Sequence, residues 1–498
     1  MNKPHILLYT DNPPVGGVPQ YNHSMLCKLA TSGYPVTAVQ IQQSNPLVEQ
    51  QAKLGVKQLW LDKERITGYA ASYTDWDTPR KLLTSAQPDL IMFSDGWPLG
   101  NFAAKQVALE MGIPYVIVVG FVDENSAKVV RDDGVPYTEV VSYHYNGARA
   151  VAAVSQENLG LLHNLFQVSP SHSKVVHYGR PKKFFTPTDA ATQQRLRQEI
   201  GIPPDAIMCF TSARMAVVKG FNFQLDAIEQ LKQTSVWEKL YFVWAGGSTD
   251  GEDVTPQLVE RVKELGVESR VKFLGKRWDI PDLLGTSDIY ILTSKAEGMP
   301  LAIMEAMAKG LPVIASAVSG IPEELGDTGK LLPDPKIAPQ ATVAELVATL
   351  QAWVSNTELR QSQGKACQQR AQQMFTEERM LNDYLNIIEK VWHSINSTQE
   401  NFHLIESITP EKVSLLESRV KYAYLVWKAW LSQKNGNLVE MEKSLRQSLE
   451  HTPFLSTETV INWIDSFTKF YQEKGEVWHV YHLFKQDEWQ NLVYSYLR

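Results

Sequence analysis

The chain has 498 residues, 44% of them hydrophobic and 21% charged, with a formal net charge of −7. That length exceeds one ordinary core and predicts two or three globular domains. The negative balance gives no reason to expect nucleic acid as a partner, apart from local basic patches such as Lys182-Lys183.

The N-terminus runs straight into the strand pattern Ile6-Leu7-Leu8-Tyr9 and lacks the apolar core and cleavage site of a signal peptide. The strand ends at a Pro/Gly-rich loop, Asp11 to Pro19, and a helix follows over Gln20 to Ser32. Short apolar runs then recur at Val36 to Ile41, Gln58 to Leu61, Leu90 to Phe93, Tyr115 to Val119 and Ala150 to Val154, as buried parallel strands require. The cluster Tyr143-His144-Tyr145 reads as a surface helix face, and Ser155 as either a donor contact or a helix cap.

After Val175 to Gly179 a linker with Pro181 and Pro187 precedes a second series. It comprises Met208 to Thr211, Leu240 to Ala245, Val271 to Leu274, Ile289 to Thr293, Val313 to Ser316 and Lys330 to Leu332. Strand-helix alternation makes both series α/β, and two such domains in tandem are expected to leave a cleft between them. From Ala338 the pattern is helical: Ala344 to Val354, Glu358 to Phe375 and Glu377 to Ile395. The expected domains are 1–182, 183–375, a helix at 376–398 crossing back to the first domain, and an all-helical appendage at 400–498. The appendage carries five of the 13 tryptophans.

Cys27, Cys209 and Cys367 are far apart and form no metal or disulfide pattern, so buried, reduced thiols of a cytoplasmic protein are expected. No run of about 18 apolar residues predicts a membrane span. Peripheral membrane contact or a homo-oligomer stays open for the appendage.

Ligands of open α/β sheets bind beyond the carboxyl ends of strands, so the loops there carry the search. Gly16-Gly17 lets backbone N–H groups approach a phosphate at a helix start, or is a plain surface turn. Arg214 and Lys219 can clamp a diphosphate, the first as a fork and the second as a point charge, or can be two solvated cations. Glu297 lies before a helix and Glu305 about two turns along it. Carboxylates there can accept from sugar and ribose hydroxyls. Pro300 suits the first helical turn, where the N–H groups of Met299 and Leu301 are open to a ligand. Taken singly, each motif is weak.

Together these residues resemble the retaining GT-B glycosyltransferases of family 4, the group 1 glycosyltransferases. The resemblance covers about Met1 to Ile395 and rests on five elements. Glu297 to Glu305, followed by Ala306-Met307-Ala308 and Gly310 to Ala315, has the family's E-x7-E context. Arg214 and Lys219-Gly220 have its Arg-x4-Lys spacing. Gly16-Gly17 matches its N-terminal glycine pair. Ser319-Gly320-Ile321-Pro322-Glu323 matches a Gly-Gly-x-Pro-Glu element with serine for the first glycine. Phe273-Leu274-Gly275 matches the loop over the nucleotide base.

The resemblance implies two facing Rossmann-like domains and transfer of a sugar from a nucleotide-diphosphate sugar to a hydroxyl, with retention and without a metal or other cofactor. Arg214 and Lys219 would hold the diphosphate, Glu305 the ribose and Glu297 the sugar hydroxyls. Gly16, Gly17, Gly275, Met299 and Leu301 would complete the donor site. UDP is the first expectation for the nucleotide and GDP the second.

Departures fall in the N-terminal half. No histidine follows Val118-Val119, where Gly120-Phe121 stands, and Phe93-Ser94-Asp95-Gly96-Trp97 replaces another histidine-bearing loop. Tyr178-Gly179 replaces Asn-Gly. Asp95, Trp97, Asp123, Glu124 and Asn125 are therefore the candidates for contacting an acceptor, be it a sugar, lipid or protein. Core packing is the competing reading for Trp97. The alternatives to a transferase are a non-catalytic nucleotide-sugar-binding partner subunit and a GT-B nucleotide-sugar epimerase.

Overall fold

The computed structural model describes residues 3–12, 17–42, 46–62, 75–124, 137–247 and 253–396, with a few positions between 437 and 447. Gly16, Asn125 and nearly all of the expected 400–498 appendage lie outside the described residues. Two compact units emerge. One holds Met1–Ala153, Leu159–Lys174 and the chain from Leu385; the other holds Val154–Asn158 and Val175–Tyr384.

The first series of elements is β1 (Ile6–Tyr9), α1 (Gly17–Thr31), β2 (Val36–Ile41), α2 (Pro46–Lys53), β3 (Lys57–Leu61), α3 (Asp77–Ala86), β4 (Leu90–Asp95), α4 (Phe102–Glu110), β5 (Tyr115–Val119), α5 (Tyr137–Asn146), β6 (Ala150–Ala153), α6 (Gln156–Phe166) and β7 (Ser173–Val175). Its sheet has the order β3-β2-β1-β4-β5-β6-β7. Register is set by parallel pairs such as Leu8 with Ala38 and with Met92. β1, β4 and β5 are buried at every residue, which is why they read as unbroken apolar runs rather than alternating ones.

The second series is α7 (Ala190–Ile200), β8 (Ile207–Ser212), α8 (Phe221–Leu231), β9 (Leu240–Ala245), α9 (Thr255–Glu264), β10 (Val271–Gly275), α10 (Ile280–Thr286), β11 (Ile289–Leu292), α11 (Leu301–Ala308), β12 (Val313–Ser316), α12 (Ile321–Leu325), β13 (Lys330–Leu332), α13 (Pro339–Ser355), α14 (Thr357–Met374) and α15 (Glu377–Asn396). The six strands have the order β10-β9-β8-β11-β12-β13. Trp244 and Phe221 pack in its core with ring centroids 5.0 Å apart. Asp189 caps α7 through Thr192 N–H at 2.9 Å, and Gly201 ends it at φ +78°.

In each sheet the strand order reverses once, between β1 and β4 in the first and between β8 and β11 in the second. These switch points open a crevice at the strands' carboxyl ends. No helix among the described residues is long and apolar enough to cross a membrane.

Candidate functional site

The second switch point brings together Lys219 and Glu297 from among the expected donor residues. Ser212 ends β8, and the loop beyond it is tied to its neighbours by Ala213 N–H to Ala245 O (3.0 Å) and Met215 N–H to Gly247 O (3.1 Å). Arg214 is exposed on this loop. Lys219 ends a short 3-10 turn, Val217–Lys219, and Gly220 leads into α8 at φ +68°. A Cβ on Gly220 would lie 1.9 Å from Thr293 O, so the loop after β8 touches the backbone beyond β11.

That contact brings Lys219 to Glu297. Lys219 Nζ lies 2.5 Å from Glu297 Oε1, which also accepts from Ser294 Oγ at 2.7 Å. The two side chains are only 16% and 9% exposed. The cation and the carboxylate expected to serve different parts of a donor are thus one charge-assisted pair.

Glu297 N–H donates to Ser319 Oγ at 3.2 Å. Ser319 sits at φ +50°, a left-handed conformation that favours glycine, and its hydroxyl supplies a bond that glycine cannot. At the next position Gly320 N–H donates to Gly298 O at 3.0 Å, and a Cβ there would meet that oxygen at 2.4 Å. The Ser-Gly element therefore holds the Glu297 loop by direct backbone contact. Met299 is buried, and Leu301 opens α11 behind Pro300, whose C=O accepts Ile303 N–H at 3.0 Å. Gly275, exposed at φ +62°, ends β10 where its pairing with β9 shifts register.

Glu305 is buried on α11, and Arg180 Nη2 lies 2.5 Å from its Oε1. Burial raises its carboxyl above the ordinary range, while Arg180 and then Lys183 pull it back. The sequence reading does not single out Arg180. The available signal was a cation directly after Gly179, in the segment where Tyr178 already departs from the family pattern. Tyr178 is buried, and burial raises its hydroxyl pKa.

A second unanticipated group is Glu324 on α12, wholly buried, its carboxyl lacking a well-formed hydrogen bond although the Met304 backbone N–H lies near it. Burial pushes its pKa well above the usual carboxylate range, and the Glu297 charge adds to the shift. A folded-state pKa above the unfolded one means the penalty is absent below about pH 4.5 and grows as pH rises towards the folded value. Glu324→Leu should therefore stabilise the protein by about 1–3 kcal/mol at pH 8, the cost of a buried unsatisfied polar group. The gain over the parent in thermal melting should shrink at pH 5; an equal gain at both pH values would contradict a buried neutral acid.

The neighbouring Glu323 is fully engaged, accepting Gln156 N–H at 2.6 Å and lying 2.6 Å from His177 Nε2. Ser155 Oγ accepts Asn158 N–H at 3.1 Å, so Ser155 caps α6.

In the first unit the switch point is filled by a polar network. Asp95 is the last residue of β4 rather than a loop residue, and it is 1% exposed. Its carboxylate accepts from Asn101 Nδ2 and Tyr145 OH, both at 2.7 Å, and pairs with buried Lys105. This corrects the expectation that Asp95 faces an acceptor: its oxygens are bound within the unit. Burial raises its pKa to about 6, outweighing Lys105, Asn101 and Tyr145.

Asp11 and Asn101 exchange two hydrogen bonds of 2.7 Å, which latch the loop after β1 to the loop after β4. Gly17 begins α1 beyond that latch. Trp97 is half-buried against the core, Asp123 is half-buried and Glu124 exposed.

The expectation of a surface face for His144 and Tyr145 also fails. Both are buried, His144 against Phe102 and 3.1 Å from Gln106 Oε1. Burial and then the Lys105 charge depress its pKa. Of the cysteines, Cys209 and Cys367 are buried and Cys27 is half-buried. Among the described residues no group of three His, Cys, Asp or Glu is placed to hold a metal ion.

The chain is 28% identical over 181 residues to mannosylfructose-phosphate synthase of Agrobacterium fabrum, covering 36% of this chain and 39% of that protein. It is 30% identical over 192 residues to D-inositol 3-phosphate glycosyltransferase of Corynebacterium efficiens, covering 38% and 45% respectively. The match thus spans less than half the length of these relatives. In fold, it is similar to Anabaena HepE crystallised with UDP, with a TM-score of 0.64 and 20% identity, covering 78% of this chain and all of that one. This supports the two parallel α/β sheets as those of the GT-B class. Residues 16–179 match the family described as Glycosyl transferase 4-like domain and residues 192–370 that described as Glycosyl transferases group 1. With both halves accounted for, the chain belongs to the group 1 glycosyl transferases.

Proposed function

We propose that the protein transfers a sugar from a nucleotide-diphosphate sugar to an acceptor hydroxyl, with retention of anomeric configuration and without a metal. The observation that carries this reading is the Lys219–Glu297 pair at the switch point of the second sheet, inside the stretch that matches the group 1 family. Arg214 and Lys219 hold the diphosphate and take up the charge that grows on it. Glu297 accepts from hydroxyls of the donor sugar and Glu305 from the ribose. The bond from the anomeric carbon to the phosphate oxygen breaks, and the acceptor oxygen bonds to the same face. The acceptor's proton passes to the leaving phosphate, so no protein nucleophile is needed. Preorganised cations at the departing oxygen then supply most of the barrier reduction.

UDP is the nucleotide we favour; HepE, which shares the fold, has been crystallised with UDP and with UDP-glucose. Trp97, Asp123 and Glu124 remain the acceptor-side candidates, with Asn125 beside them in sequence.

The test is nucleotide release from a panel of UDP-, GDP- and ADP-sugars, with and without a chelator. A nucleotide diphosphate at 100 times its dissociation constant should also stabilise the chain by about 2.7 kcal/mol. Release that persists with chelator is the expected result. Binding without release for any donor would favour a partner-subunit role, and loss of release with chelator would overturn the metal-free mechanism.

A further inference from the structure

Arg180 is clamped by its backbone. Its N–H donates to Phe375 O at 2.8 Å, and its C=O accepts Glu377 N–H at 3.0 Å, in a parallel bridge with Thr376. Gly179 permits this, because a Cβ there would lie 2.3 Å from Thr376 O. The guanidinium is held from two sides. Its carbon stands 4.7 Å over the Phe184 ring, and Nη2 lies 2.5 Å from Glu305 Oε1. The Arg180 side chain is 6% exposed, whereas a tenth of the Glu305 side chain stays accessible.

Burying such a pair gains little stability, since apolar residues of the same volume usually do as well. An oriented carboxylate with an accessible edge is what the pair provides and apolar packing does not. We propose that Arg180 is the positioning residue of the ribose subsite, holding Glu305 as an oriented anion whose accessible edge accepts the ribose hydroxyls. This rests on the reading of Glu305 as the ribose acceptor.

The groups facing Glu305 are Arg180 and Lys183 from the segment after β7 and the Tyr290 hydroxyl from β11. Burial opposes its charge, and Arg180 is the larger of the two cationic influences. Without Arg180 the carboxyl therefore protonates more readily and loses its charge-assisted acceptance. As pH rises it ionises and acceptance returns.

The experiment compares UDP with 2′,3′-dideoxy-UDP by calorimetry from pH 6 to 9, using the full chain. The parent should prefer UDP by about tenfold or more at every pH, consistent with loss of a charged hydrogen-bond partner. Arg180→Met should lose most of that preference at pH 6 and regain it towards pH 9. Arg180→Lys keeps the charge without the fork, so its preference should be reduced but nearly pH-independent, and it serves if the methionine variant fails to fold. Glu305→Gln, neutral throughout, should weaken the preference by a similar factor at every pH. A folded Arg180→Met with the parent's preference throughout overturns the positioning role, as does a lysine variant identical to the parent when the methionine variant does not fold. A parent that binds UDP without preference, or an unaffected Glu305→Gln, overturns the ribose reading itself.

Discussion

Lys219→Ala should lower turnover by about 10²–10³, the usual cost of removing one preorganised donor from a developing anion. Two losses combine. The leaving diphosphate loses a point charge, and Glu297 loses the cation 2.5 Å away that holds its carboxylate. Glu297 keeps the Ser294 hydroxyl at 2.7 Å, and its loop keeps the Ser319 and Gly320 contacts, so the fold should survive. Kinetics of nucleotide release, set beside circular dichroism and a melting curve, check both parts. Near-normal turnover in a folded variant would exclude Lys219 from the chemistry.

Gly220→Ala should be at least as damaging, through a different route. At φ +68° an alanine costs about 1–2 kcal/mol for the left-handed conformation alone. Its Cβ also meets Thr293 O at 1.9 Å, and that oxygen is backbone and cannot swing aside. Forcing the two segments apart adds about 1–3 kcal/mol. At about 2–4 °C per kcal/mol for a unit of this size, the melting temperature should fall by roughly 4–20 °C. Because Lys219 and Thr293 flank the contact, activity should fall further than stability does. A variant with parental melting and turnover would mean that the loops tolerate separation.

The fold was legible because buried parallel strands announce themselves. Leu240 to Ala245, Val313 to Ser316 and Lys330 to Leu332 begin and end where their residues change character, and the structure keeps those bounds. The donor-side motifs were legible as short stretches, yet their pairing was not. Lys219 and Glu297 are 78 residues apart, and only the adjacency of β8 and β11 joins them. Burial of polar groups was the harder matter. Asp95, His144 and Tyr145 look like surface residues because sequence polarity ignores partners, and Lys105, Asn101 and Gln106 are what allow them inside. Glu324 escaped notice for a related reason: beside Glu323 it resembles a solvated helix turn, and nothing local shows that one carboxylate of the two is inside.

The bridge between Arg180 and Thr376 reaches beyond the carboxylate that Arg180 pairs with. Arg379 Nη2 strengthens it by donating to His177 O at 2.6 Å and Tyr178 O at 3.1 Å. The entry and exit strands of the second unit's long segment, Val175–Tyr384, are thereby fastened side by side. A chain segment whose ends meet can be cut elsewhere and rejoined there, so Val175–Tyr384 meets the geometric condition for circular permutation. It also means that the clamp on Arg180 closes only when α15 begins to form, so a ribosome must pass residue 380 before that clamp has all of its parts.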